Sequence, residues 1–423
     1  MKRHKIAAAL LACLTAAAQF AAISAYAEGE TSDNVITSIP IKKYLVLDQD
    51  VRVPGTSFQF TLTSGSAVEG TETTSSVLAG PAGAVLVPSG DVSVSGNNAT
   101  LTFSPDDAAT PESSAPSGNT IAFATPDDTS DEKYIEKTVS IDISAVTFPE
   151  PGIYHYVFTE KPSSAPGIVN DAHPTRYVDI YVCKSVEHDE DVFVPEAAVI
   201  RTSAAAPTAE GKTDGSVKSD SFTNRYTTHA LRFSKDVSGN QASFLQYFKF
   251  TVKLTGTQSP GEDSLYVTVG GTYDAQPAEN MATAYDASDM VKANSTELTT
   301  DDAGGTFVSL ALLRAGKIFY LHSGQTITLD GIPDGMGYQL TEAPEDYTPS
   351  VTLTGDDAAA SGSSVTDTAM ADDADAAFLN TRESVLPGTG IAAGIFLPAA
   401  VILAGIAGIA ALLILRLRKK SHA

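Results

Sequence analysis

Six residues, in two sets of three, are charged or polar where their neighbours are apolar. Lys43 shares a period-two face with Ile39, Ile41 and Leu45, and Lys235 shares one with Leu231, Phe233 and Val237. Glu160 follows Tyr154, Tyr156 and Phe158 at the same spacing, and Glu342 follows Tyr338 and Leu340. Asn224 and Asn380 each come two residues after a phenylalanine, Phe222 and Phe378. Alternate residues of a strand point to one side, so if the apolar ones face a core, these six do too. A buried charge without a partner is costly; it must pair, neutralise or react. Burial lowers a lysine pKa and raises a glutamate pKa, because each loses the solvation of its charged form. A neutral lysine amine can attack an asparagine side-chain carbonyl. A protonated glutamate can polarise that carbonyl and relay protons to the departing ammonia. The product is a lysine–asparagine amide, made once and without turnover, so the chain is not an enzyme in the usual sense. The competing arrangement is an ion pair capped by an asparagine. The order lysine, glutamate, asparagine occurs twice, which favours the cross-link.

Strands must carry these residues, and the rest of the sequence supplies them. Phe58-Gln59-Phe60-Thr61-Leu62, Val139-Ser140-Ile141-Asp142-Ile143 and Phe248-Lys249-Phe250-Thr251-Val252 alternate apolar and polar, the mark of half-buried strands. Val92 to Phe103 reads as a hairpin about Gly96-Asn97-Asn98. Many short strands with frequent turn signals imply an all-β sandwich architecture. The chain also repeats itself. Phe58-Gln59-Phe60 aligns with Phe248-Lys249-Phe250, Gly152 to Glu160 with Gly335 to Glu342, and Phe222-Thr223-Asn224 with Phe378-Leu379-Asn380. Two tandem sandwich domains are therefore expected, at about 34–226 and 229–382. The interval between them is too short for a flexible linker.

The ends indicate the compartment. Lys2, Arg3 and Lys5, an apolar run from Ile6 to Ile23 and Ala25-Tyr26-Ala27 describe a secretory signal peptide over residues 1–27. At the other end, Leu386-Pro387-Gly388-Thr389-Gly390 precedes 25 uncharged residues, 391–415, long enough for a transmembrane helix. A basic tail, 416–423, follows, and its positive charges favour the cytoplasmic side. Between the ends, residues 28–389 hold 20 basic and 51 acidic residues, a formal charge of −31. Such a surface repels nucleic acid and anionic lipid. Of the two cysteines one lies in the leader, so a chain cut after Ala27 keeps only Cys183 and no intrachain disulfide.

Taken together these residues resemble a Gram-positive sortase-assembled backbone pilin of the streptococcal T-antigen type. The pentapeptide, span and basic tail resemble an LPxTG wall-sorting signal. That resemblance implies that a sortase cleaves between Thr389 and Gly390 and passes the Thr389 acyl group to an amine. The stretch Tyr338 to Tyr347 is similar to the glutamate-bearing E-box of pilins and collagen-adhesin B-type repeats, though Asp346 stands where a glycine is usual and no Tyr-Pro-Lys pilin motif is present. The family implies Ig-like domains with isopeptide bonds Lys43–Asn224 and Lys235–Asn380, formed with the help of Glu160 and Glu342. In the T-antigen type the polymerisation lysine lies just ahead of the last strand of the N-terminal domain. Lys218 fits that place, with Lys212 second. Implied partners are sortase, other pilin subunits in a covalent homopolymer, and peptidoglycan. The implied location is secreted and anchored in the wall of a Gram-positive surface, through a transient membrane intermediate. A wall-anchored adhesin or minor pilin binding a host surface ligand is the alternative.

Other signals point nowhere specific. Glu187 to Asp191, and Asp127-Asp128 with Asp131-Glu132, lack the spacing and glycine of a calcium loop and read as solvated turns. Cys183 lies on an apolar strand without a partner motif. No metal cluster, phosphate loop or Ser-His-Asp order stands out, and no cofactor is implied.

Overall fold

The computed structural model describes residues 35–71, 75–124, 132–185, 192–204, 218–256, 266–277, 285–300 and 304–384. The leader, Lys212, the pentapeptide, the apolar 391–415 stretch and the basic tail lie outside these residues, as does the acidic run 187–191. Among the described residues no helix is long and apolar enough to cross a membrane.

The molecule is all-β, built of four sheets in two facing pairs. The first pair comes from residues 38–226. One of its sheets centres on the strand Ser38–Asp48, flanked by Ser221–Tyr226 and by Glu132–Asp142. The other places Gly152–Lys161 between Thr56–Ser64 and Thr175–Lys184, with Phe193–Arg201 at the edge. The second pair comes from residues 228–381. There Thr228–Ser238 lies between Thr326–Pro333 and Ala374–Thr381, and Gly337–Ala343 pairs with Phe248–Thr255 in the facing sheet. The expected hairpin forms from Val92–Ser95 and Asn98–Phe103, with Gly96 at φ +60° in its turn.

In each sandwich the first strand pairs in parallel with the last, and its other neighbour in the sheet is antiparallel. Two parallel neighbours cannot be joined by a tight turn, so nearly the whole sandwich intervenes between them. The chain thus enters and leaves each sandwich through adjacent strands. Apolar side chains of the two sheets meet between them: Phe60 meets Phe222 at 5.6 Å in the first sandwich, and Phe250 meets Phe378 edge-on at 5.2 Å in the second.

One local reading is revised. Glu132 is not part of a solvated turn. It is buried at the start of its strand, where it pairs with Arg225 and accepts the Ala124 N–H at 2.9 Å. His155 is buried as well. It meets Asp179 at 2.6 Å, and Asp179 pairs with Arg201. Cys183 is buried on its strand.

Candidate cross-linking sites

Strand register determines what each site can be. In the first sandwich Lys43 stands opposite Phe222 and Leu45 opposite Asn224, so the lysine and the asparagine lie two residues apart on one inward face. In the second, Lys235 stands opposite Phe378 and Val237 opposite Asn380, the same offset. The glutamates come from the facing sheets, again at equivalent positions: Glu160 is opposite Phe60, and Glu342 is opposite Phe250. Each site therefore bridges the two layers of its sandwich and takes its lysine and asparagine from the first and last strands. All six side chains are buried, none more than 2% exposed.

The first site is well bonded. Lys43 Nζ donates to both oxygens of Glu160, at 2.9 and 2.8 Å. Asn224 Nδ2 donates to Glu160 Oε1 at 2.6 Å, while Asn224 Oδ1 accepts the backbone N–H of Asp171 at 2.9 Å. A backbone N–H can only donate, so this bond fixes which end of the amide is oxygen. The lysine nitrogen lies 4.4 Å from the centre of the Phe58 ring. Burial pulls the Lys43 ammonium down to about 8 against the attraction of Glu160, and burial raises the Glu160 carboxyl.

The second site has the same residues and fewer bonds. Lys235 Nζ and Asn380 Nδ2 converge on one oxygen, Glu342 Oε1, at 2.7 and 2.9 Å. The lysine contact is close but poorly aligned for a hydrogen bond, and Glu342 Oε2 and Asn380 Oδ1 have no partner. Lys235 Nζ lies 4.3 Å from the Phe248 ring, the counterpart of Phe58. Burial again lowers the lysine to about 8 and raises the glutamate.

Both arrangements suit amide formation. A lysine near 8 reaches its neutral form far more readily than one at its usual value of about 10.4. The nucleophile and the leaving nitrogen touch the same carboxylate, which can take a proton from one and give a proton to the other. An unreacted, desolvated site with orphaned polar atoms is expensive. Conversion to an amide leaves one N–H and one carbonyl to meet the O–H and carbonyl of a protonated glutamate. In the first site the glutamate touches the asparagine nitrogen rather than its carbonyl. Polarisation of that carbonyl falls to Asp171, a residue no sequence pattern singled out.

Lys218 is exposed, bridged to Arg201 just ahead of the Ser221–Tyr226 strand. It stands apart from both buried sites.

Comparisons with known proteins agree with this architecture. The major pilin T3.2 of Streptococcus pyogenes superposes with a TM-score of 0.50 at 19% identity, over 83% of this chain and 99% of the pilin. The fold is that of a streptococcal major pilin. The T-13 major pilin of the same species gives a TM-score of 0.48 at 21% identity, over 83% and 100%. In sequence, a protein named "Pilin" from S. pyogenes serotype M1 is 27% identical over 265 residues, 60% of this chain. The match spans 65% of that relative's length. The family described as "Domain of unknown function (DUF7601)" matches residues 229–382, which hold the second sandwich.

Proposed function

We propose that this chain is a structural subunit of a covalent surface fibre on a Gram-positive bacterium, a pilin rather than an enzyme. The observation that carries this reading is the pair of buried lysine–glutamate–asparagine sites, each joining the first strand of a sandwich to its last. Force on a fibre enters and leaves a sandwich through its chain ends. An amide between the end strands diverts that force from the hydrogen bonds of the sheet. The cross-links are Lys43–Asn224 and Lys235–Asn380, promoted by Glu160 and Glu342 in two domains at about 34–226 and 229–382. They close loops of 181 residues (43 to 224) and 145 residues (235 to 380). If the disulfide entropy relation transfers, each restricts the unfolded chain by about 5 kcal/mol.

Assembly follows from the ends of the sequence. After secretion and removal of residues 1–27, the 391–415 span holds the precursor in the membrane while a sortase cleaves after Thr389. The acyl group passes to a lysine of the next copy, Lys218 first and Lys212 second, and finally to peptidoglycan. The exposure of Lys218 beside the last strand of the first sandwich supports its place as acceptor.

Wall extracts test this reading. The wild type should give a series of covalent multimers. Lys218→Arg should remove it while both sandwiches stay folded, because arginine keeps the charge but stays protonated. Thr389→Ala should move the protein from wall to membrane and medium. A single wall-linked band in the wild type would indicate the adhesin or minor-pilin role, and unchanged wall attachment of Thr389→Ala would refute the sorting step.

A further inference from the structure

The Asp171 turn touches the first site and has no counterpart in the bonding of the second. It lies between the short strand Ile168–Val169, which pairs with Tyr226 and Arg225, and the strand Thr175–Lys184. The Asp171 N–H donates to Asn224 Oδ1 at 2.9 Å. Its carboxylate then fixes the turn. Oδ2 accepts the Thr223 N–H at 2.7 Å and Arg176 Nη2 at 3.0 Å, and Oδ1 accepts the His173 N–H at 2.7 Å. Arg176 is itself buried. It donates through Nε to the Ser221 carbonyl at 2.7 Å and packs over the Phe222 ring at 4.2 Å. Asn170 holds the other side of the turn by exchanging two hydrogen bonds with the Ser163 backbone, at 2.7 and 2.9 Å. Asparagine strand and turn are thus tied together at residues 221, 223 and 224, directly around the reacting amide.

We propose that Asp171 is a positioning residue for the first cross-link: its side chain, tied to Thr223 and Arg176, holds its own backbone N–H against the Asn224 carbonyl oxygen, where negative charge develops. This rests on the cross-linking reading above. As neutral Lys43 Nζ attacks, the Nζ–Cγ bond forms and charge passes to Oδ1, which the Asp171 N–H stabilises. Glu160 gives its proton to Asn224 Nδ2 and takes one from Nζ. The Cγ–Nδ2 bond breaks and ammonia leaves, with no other reactant consumed. Arg176 offsets the charge of the Asp171 carboxylate, which would otherwise oppose charge on Oδ1.

The test uses the mature chain, residues 28–389, in which the second sandwich is an internal standard. Intact mass is followed from purification onward for the wild type, Asp171→Ala, Asp171→Asn and Arg176→Gln. Asparagine keeps one acceptor oxygen, for either the Thr223 or the His173 N–H group; alanine keeps none. Asp171→Ala should be isolated with the second ammonia already lost and the first still present, and should then lose it slowly. A slowing of roughly 10–100-fold is expected, below the 10²–10³ that deleting an oxyanion donor outright costs. Asp171→Asn, which keeps one of the two bonds, should recover part of the rate, which a general loss of stability would not explain. If Asp171→Ala does not fold, Arg176→Gln carries the test, and an unreacted first site in a folded chain is the expected result. Complete cross-linking of the first site in these variants at the earliest measurement overturns the proposal, as does equal slowing of both sites. A wild type that has lost no ammonia would instead defeat the cross-linking reading itself.

Discussion

The two sandwiches bury the same three residues at the same register and bond them differently. In the first, every polar atom of the asparagine amide is engaged: Nδ2 by Glu160 and Oδ1 by the Asp171 N–H. In the second, Asn380 Oδ1 and Glu342 Oε2 are orphaned, and both nitrogens crowd one carboxylate oxygen. The lysine, the glutamate and the ring beneath the lysine are common to both, and so is the lowered lysine value of about 8. In the proposed cross-linking, the shared set is what the chemistry needs, and the Asp171 turn is an addition that separates the duties. In the first site the backbone N–H faces the carbonyl oxygen and the glutamate handles protons. In the second, Asn380 Oδ1 has no hydrogen-bond partner among the described residues, and both duties would fall to the glutamate once its O–H turns to the amide oxygen.

Removing a glutamate should have the largest effect. Glu342→Ala should restore one ammonia to the mass and Glu160→Ala the other, each without affecting its counterpart, because the sites draw on separate sheets. Beyond the roughly 5 kcal/mol of lost loop restriction, each variant leaves a buried lysine without its acid, a change that costs about 3–5 kcal/mol. Calorimetry should show one transition lowered and one unmoved. Cross-links that persist in either variant would remove the glutamate from the mechanism.

A smaller difference separates the asparagines. Both Asn224→Ala and Asn380→Ala should abolish the proposed cross-link, but only the first strands a half-buried donor, the Asp171 N–H. Asn224→Ala should therefore destabilise its sandwich by about 0.5–1.5 kcal/mol more than Asn380→Ala destabilises the other. Equal losses in denaturant unfolding would mean that the Asp171 bond contributes nothing to the folded state.

The smallest effect is on pH dependence, measured on the slow Asp171→Ala variant. The reactive form holds one proton between Lys43 and Glu160, as neutral amine and protonated acid. Raising the pH through about 8 removes that proton, so ammonia loss should slow on the alkaline side. Lowering it through the raised value of Glu160 adds a second proton and should slow it again, beginning above the usual carboxylate range. A rate that keeps climbing well above pH 8 would mean that the free amine alone limits the reaction.

Much of this was legible in the sequence because strands expose their facing by parity. Lys43 beside Ile39, Ile41 and Leu45 had one inward side available, and the second copy at Lys235 repeated it. The Asp171 turn left no such trace. Asp171 stands 53 residues from Asn224, in a loop without period, and its bonding has no equivalent in the second copy, so the repeat could not draw attention to it. The burial of His155 was not legible either, for a different reason. Alternation presumes a solvated outer face, but here Gly65 lies against that face, so close that a Cβ would come within 2.0 Å of the imidazole Cδ2. Asp179 and Arg201 complete the polar cluster there. Glu132 was read from its acidic neighbours, whereas its partner Arg225 is 93 residues away on the asparagine strand.

Intact-mass measurement of mature wild-type protein, residues 28–389, tests the central claim most directly. The account predicts a mass below that of the sequence by two ammonias, and tandem fragmentation should place one between Lys43 and Asn224 and the other between Lys235 and Asn380. A mass equal to that of the sequence would contradict it, and the two sites would then be buried ion pairs capped by asparagines.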